Sequence, residues 1–326
     1  MRLTPAYAIA RHTLSPLTDA MLATRRHSWE QGVVMQALDA IGARDTMVAL
    51  AYEAVTATAV ADGRVGVTPG PDEGSATDSC ACGIPLARAH ALTGDGVFAQ
   101  ALDGLDGWAT HGLPRRADGV AFHETRHNRI WVDSFFMLPP FLADRGHMDD
   151  ALHQINGFWE TLYDPLTGLL HHRWDDELGA YDWPRFWATG HGWALAGLTQ
   201  VIQRVAEPEP RAWLVDKVTM LLDALAPLQT DDGLWHNEVD RPDTFVDATG
   251  ACFIAYAVLT GVKEGWLSTE YEPMAARTRD GARRRVGPYG FLEQVPGAPF
   301  FESPGISAEA QAAYLLMQAA AGMVLE

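Results

Sequence analysis

Residues 187–228 read WATGHGWALAGLTQVIQRVAEPEPRAWLVDKVTMLLDALAPL. Apolar residues recur at three- and four-residue steps on both sides of Glu207–Pro208, which predicts helices over 187–205 and 209–226 joined by a short link. An aperiodic stretch, 227–243, separates this pair from the next apolar period at 244–260, and that helix again ends in a short link, Gly261–Val262. The unit is therefore a helical hairpin with a short link at one end and a long link at the other.

Working outward, the same period predicts helices at 5–24, 29–42, 46–61, 78–93, 97–110, 132–144, 147–162, 264–280 and 306–324. Short links fall at Gly42–Arg44, Thr93–Asp95 and Arg145–Gly146, and long ones at 62–77, 111–131, 163–186 and 281–305. Antiparallel helices send successive links to opposite ends, so this alternation gathers every long link on one face. Links longer than about 12 residues are uncommon in compact domains and usually functional. Twelve helices wired in this way and closed on themselves form an all-α (α/α)6 toroid, a six-hairpin barrel with one elaborated face. The expectation is a single catalytic domain of this kind over residues 1–326. Period-2 alternation is scarce, which argues against a large sheet. An open solenoid would need an internal repeat, and none is visible at the usual lengths.

Composition narrows the function. A net charge of -18 argues against a nucleic-acid partner, because phosphate binding needs a basic surface. Three cysteines, Cys80, Cys82 and Cys252, form a sparse, odd set that suits burial in a reducing compartment. The chain begins without an apolar run of signal-peptide length and holds no stretch of about 18 uncharged apolar residues. A cytoplasmic protein with no membrane partner is expected. His236 and Glu238 lack a third ligand, so no metal site is expected, and no phosphate loop, nucleophile elbow or dinucleotide fingerprint appears.

The unusual residues collect at the starts of the helices that follow the long links, at 28–32, 77–79, 130–134, 186–193 and 243–250. A pocket there would hold Trp29, Trp131, Trp187 and Trp193 beside Asp78, Asp133, His172 and His191. Tryptophan stacks on the apolar face of a sugar, while Asp and His bind hydroxyls and move protons. Each residue also has a plainer reading: tryptophan fills cores, and Asp at a helix start caps it. For Asp133 the apolar Phe-Phe-Met-Leu run that follows would draw the carboxylate inward. His171 and His172 point apart on any regular element, so at most one serves the site.

The blocks WEQG (29–32), WVDSFFMLPPFLA (131–143), LYDPLTGLLHHRWD (162–175), WATGHGW (187–193), DGLWH (232–236) and DTFVDATG (243–250) together resemble the unsaturated glucuronyl and rhamnogalacturonyl hydrolases. These are glycoside hydrolase families 88 and 105, and the second is the more similar. The resemblance implies the same six-hairpin toroid. It also implies removal of a 4,5-unsaturated uronic acid from the non-reducing end of lyase-generated oligosaccharides by hydration of the double bond. By motif position, Asp133 matches the family's general acid/base and Asp78 its second active-site Asp. His172 matches a substrate-contacting His, Trp187 and Trp193 pocket walls, and His123 a His upstream of the catalytic block. No metal or organic cofactor is implied. Two carboxylates sharing a water-poor pocket would keep Asp133 protonated. Thr189 and His191 stand where relatives carry Arg and Asn, which leaves Arg129, Arg185 or His191 to receive the uronate carboxylate. The competing readings are another toroid enzyme, such as a sugar epimerase or a conventional glycosidase, and a non-catalytic oligosaccharide-binding protein.

Overall fold

The computed structural model describes residues 5–68, 74–297 and 300–324, with side chains from residue 13 onward, so parts of the predicted links 62–77 and 281–305 lie outside the described residues. The helices are α1 (Pro5–Thr24), α2 (Ser28–Ala40), α3 (Arg44–Thr56), α4 (Gly83–Thr93), α5 (Gly96–Gly107), α6 (Ser134–Met137) and α7 (Pro139–Asp144). They continue as α8 (Met148–Leu162), α9 (Ala188–Ile202), α10 (Pro208–Leu225), α11 (Ala248–Lys263), α12 (Glu272–Arg283) and α13 (Ala308–Ala320).

Six segments form an inner ring. Helix α2 packs on the 3-10 turn Asp78–Cys82 that leads into α4, and that turn packs on α6. Helix α6 then packs on α9, α9 on α11, α11 on α13, and α13 back on α2, which closes the ring. Outside it, α1, α3, α5, α8, α10 and α12 pack on α13, α2, α4, α7, α9 and α11 respectively. This is the predicted (α/α)6 toroid. An inner helix is enclosed by two ring neighbours and one outer helix, so it must be apolar all round, and every residue of α9 is buried. The ring is tight. A methyl group added at Gly197 would lie 2.0 Å from the Phe135 carbonyl oxygen, and one at Gly250 would lie 2.3 Å from the Ala188 backbone.

Several predicted helices differ in detail: the one expected at 78–93 opens as the 3-10 turn Asp78–Cys82, and the one expected at 46–61 ends at Thr56. The stretch 132–144 breaks into α6 and α7 at Leu138, because Pro139 and Pro140 remove two successive N–H donors. The helix expected at 264–280 begins only at Glu272, after Gly265 turns the chain with φ +76 and Pro273 fixes the new start.

The long links are not structureless. They form small antiparallel sheets: β1 (Arg129–Trp131), β4 (Arg173–Asp175) and β5 (Ala180–Trp183) in the order β1-β4-β5, with β2 (Tyr163–Asp164) against β3 (Leu169–Leu170) and β6 (Trp235–His236) against β7 (Val246–Asp247). Among the described residues, no helix is long and apolar enough to cross a membrane.

Candidate active site

Pairing between long links brings together residues far apart in sequence. Strand β1 pairs with β4 so that Trp131 lies opposite Arg173. The Val132 N–H then donates to the His172 carbonyl, and the His172 N–H donates to the Arg185 carbonyl, both at 2.9 Å. Asp133 and His172 flank this ladder, and His172 Nε2 stands 3.6 Å from Asp133 Oδ2, just beyond hydrogen-bonding range. A second pairing, Ser75 opposite Glu124, with the Ala76 N–H donating to the His123 carbonyl, sets His123 Nε2 3.7 Å from Asp78 Oδ1. The site thus contains two acid–imidazole pairs, each fixed by one link-to-link contact.

The local chemistry separates the pairs. The hydroxyls of Thr77 and Ser134 lie 2.9 and 3.0 Å from His123 Nδ1 and hold the ring with Nε2 turned towards Asp78. Burial pushes His123 down to about 4, so it is neutral near pH 7. Asp133 sits at the N-cap position of α6, but its side chain makes no cap bond and is left to the cavity. Burial alone would push its carboxyl up; the approach and charge of His172, with a smaller contribution from His123, outweigh it and hold Asp133 below the usual carboxylate range. This corrects the expectation that a shared pocket keeps Asp133 protonated: the group that sets its ionisation beyond burial is the His172 imidazole, not Asp78.

Aromatic rings wall a cavity of about 310 Å³ around these groups. His172 is held between Trp183 and Trp187, with ring centroids 4.8 and 4.7 Å away, and meets Trp131 edge-on. Trp131 stacks on His123 at 4.6 Å, and Trp29 and Phe301 close the opposite side. Arg185 also lines the cavity, bound to Glu238 at 2.9 Å and Glu302 at 3.3 Å.

This architecture has known counterparts. The profile of glycosyl hydrolase family 88 matches residues 6–295. The chain belongs to glycosyl hydrolase family 88. It is 27% identical over 203 residues to the unsaturated rhamnogalacturonyl hydrolase YesR of Bacillus subtilis, a match covering 58% of each chain. It is 25% identical over 193 residues to the unsaturated 3S-rhamnoglycuronyl hydrolase of Formosa agariphila, covering 52% of this chain and 51% of that one. The chain thus spans little more than half the length of these curated relatives. Its fold is shared with the crystal structure of a possible GH105 family member from Salmonella enterica serovar Paratyphi A. That pair superposes with a TM-score of 0.84 at 18% identity, over 98% of this chain and 96% of the other. An unsaturated glucuronyl hydrolase specific for heparin superposes with a TM-score of 0.74 at 14% identity, over 97% of both chains.

Within this family 88 chain, Trp29, Asp78, His123, Trp131, Asp133, His172 and Trp187 all line the cavity, as placed from sequence. His171 turns away, between Tyr181 and Phe186. Two candidates do not reach the site. His191 is fully buried one turn below Trp187, its Nδ1 2.7 Å from the Trp187 carbonyl and its Nε2 accepting the Leu170 N–H. Both ring nitrogens are thereby used, and burial pushes the imidazole down to about 4. Trp193 packs into the ring core against Phe136 and Phe253, with centroids 4.7 and 4.3 Å away. Thr189 is also withdrawn, its hydroxyl donating to Asp247 at 2.7 Å, and Arg129 is engaged with Asp175 and Asp182. Sequence reading missed Trp183, Asn237, Phe301 and Glu309 on the cavity wall. Glu309 had a usable signal, since it begins the sixth inner helix on the long-link face.

Proposed function

We propose that this chain is an unsaturated uronyl hydrolase, releasing a 4,5-unsaturated uronic acid from the non-reducing end of an oligosaccharide. The observation that carries the reading is the pair of acid–imidazole couples, Asp133–His172 and Asp78–His123, inside one aromatic-walled cavity of a family 88 toroid. The names of the two curated relatives, both unsaturated-uronide hydrolases, support it.

In this reading the sugar ring stacks on the tryptophan walls, and Asp133 delivers a proton to C4 of the enol ether. Water adds at C5, and its spare proton returns to the carboxylate. The hemiketal at C5 then opens by breaking its bond to the ring oxygen, and the hemiacetal left at C1 expels the aglycone as an alcohol. Asp133 must be protonated at the first step. Entry of an anionic uronate expels water beside it and adds a like charge, and both changes favour the neutral carboxyl. Asp78, facing His123 Nε2, is placed to orient the attacking water. Retention of both Asp78 and Asp133 argues against a binding-only protein.

The test is the ultraviolet absorbance of the conjugated double bond during incubation with oligosaccharides from a panel of polysaccharide lyases. The signal should disappear with at least one digest. If it persists with all of them, the reading is wrong.

A further inference from the structure

Glu309 stands in the first turn of α13 on the wall of the same cavity and is only 2% exposed. Its two oxygens differ. Oε2 accepts the indole N–H of Trp29. Oε1 is buried and has no hydrogen-bond partner among the described residues. Most buried side-chain polar atoms find a partner. Oε1 shares its unpaired state with Trp131 Nε1, Asp133 Oδ2 and His172 Nε2 on the same cavity wall, a group of polar atoms gathered where a polar ligand would meet them.

The surroundings set the form of the group. Glu30 on α2, itself accepting the backbone N–H groups of Arg26, His27 and Ala308, is the strongest acidic influence. Asp133 before α6 and Asp247 before α11 add to it. Burial first, and then these acidic neighbours, push Glu309 well above the usual carboxylate range, against the weaker pull of the Trp29 bond. With Oε2 committed as an acceptor, the proton resides on Oε1, the oxygen without a partner.

That polarity gives Glu309 a proton to donate. A hydroxyl could be bound by Glu309 in either ionisation state, because it both donates and accepts. An acceptor-only group needs the acid. In the proposed substrate such a group is the uronate carboxylate. The cation on the cavity wall, Arg185, is already bound by Glu238 and Glu302, and Thr189 offers its hydroxyl to Asp247 instead.

We propose that Glu309 binds the carboxylate of the unsaturated uronic acid, its Oε1–H donating to a carboxylate oxygen, an assignment that rests on the activity proposed above. A carboxylic acid then does in this chain what a guanidinium would do elsewhere, without adding charge to the ring core. Glu309 is a positioning residue for the anion, and it should act on KM more than on kcat.

The experiment compares wild type, Glu309→Leu and Glu309→Gln on an unsaturated uronide and on its methyl ester, with KM and kcat followed across pH. Glu309→Leu should raise KM for the acid about 10- to 100-fold, the range for losing a hydrogen bond to a charged group, and change KM for the ester far less. Glu309→Gln can offer its carbonyl to Trp29 and its amide to the ligand, so it should recover most of the lost affinity. Its KM should also stop rising with pH, whereas that of wild type climbs as Glu309 ionises. An unchanged KM in Glu309→Leu, or equal losses for acid and ester, overturns the assignment while leaving the activity intact. If Glu309→Leu does not fold, a wild-type-like pH dependence of KM in Glu309→Gln overturns it instead. Wild type inactive on every unsaturated uronide removes both proposals together.

Discussion

Asp133 and Glu309 line one cavity and are both taken out of water, yet their carboxyls shift in opposite directions. Burial disfavours charge in both. Asp133 faces His172 at 3.6 Å and is held down. Glu309, raised first by burial, has Glu30, Asp133 and Asp247 as charged neighbours that raise it further. Neighbours, not depth, decide the sign. The cavity therefore offers two different tools: an ionised carboxylate beside imidazoles and a neutral acid beside an indole. A uronate can accept a hydrogen bond from the second, while its own charge adjusts the first.

The most severe way to break this contrast is at Asp133. Asp133→Asn keeps the shape and removes the proton that moves, so kcat should fall by about 10²–10⁴-fold with little change in KM or melting temperature. Steady-state absorbance assays and a thermal melt would check both. Residual activity above roughly a tenth of wild type would place the acid elsewhere.

His172→Gln tests the cause of the Asp133 shift. Without the imidazole, burial is no longer outweighed and the Asp133 carboxyl should rise. A general acid with a higher pKa stays protonated to higher pH, so the alkaline limb of the kcat profile should move upward. A loss in kcat/KM of roughly 10- to 100-fold is expected from the disturbed ring stack between Trp183 and Trp187. An alkaline limb that stays in place would separate His172 from the ionisation of Asp133.

The two regions were not equally legible. The inner helices declare themselves because a ring position must be apolar on every side, and that period survives in residues 187–205 and 244–260. Asp133 could be placed because it sits in a distinctive block at a helix start, and His172 because it sits in one within a long link. The strands that join them are two to four residues long and pair across distant links, so no local period announces them. Depth was also invisible. His191 shares the helix start with Trp187 but lies one turn deeper, and Trp193 is rotated by about 240° into the ring core. Glu309 was hidden by its company, an Ala-rich stretch after Ser307 that reads as packing. Five inner-helix starts drew notice by a Trp, Asp, His or Gly, and the sixth carries only this one acidic residue into the cavity.

Glu309 also leaves a signature in the unliganded protein. Its folded pKa lies above the unfolded value, so its contribution to stability is fully present below the unfolded pKa, about 4.3, and is lost as pH rises through the folded pKa. Glu309→Gln has no such loss. Its melting temperature should match that of wild type near pH 4 and exceed it at pH 8, by about 2–4 °C for each 1 kcal/mol relieved. Parallel melts of the two proteins across that range would show it. A constant offset at all pH values would mean that Glu309 ionises normally.

Asp247 supplies the intermediate case and the smallest expected effect. It is as buried as Glu309 but accepts only neutral donors, the Thr249 and Gly250 N–H groups and the Thr189 hydroxyl. Burial pushes it up to about 6, and these bonds limit the rise. Its stabilising contribution is thus present below the unfolded pKa of about 3.9 and fades as pH climbs through about 6. Thr189→Val removes one donor without changing shape. The carboxyl should rise further, so the loss of stability extends to higher pH, and the variant should be less stable by about 1 kcal/mol at pH 7 and by less at pH 4. Denaturant melts at the two pH values measure the difference. KM should not change, because Thr189 faces Asp247 and does not line the cavity. A raised KM in Thr189→Val would return this position to the substrate and weaken the assignment of the uronate carboxylate to Glu309.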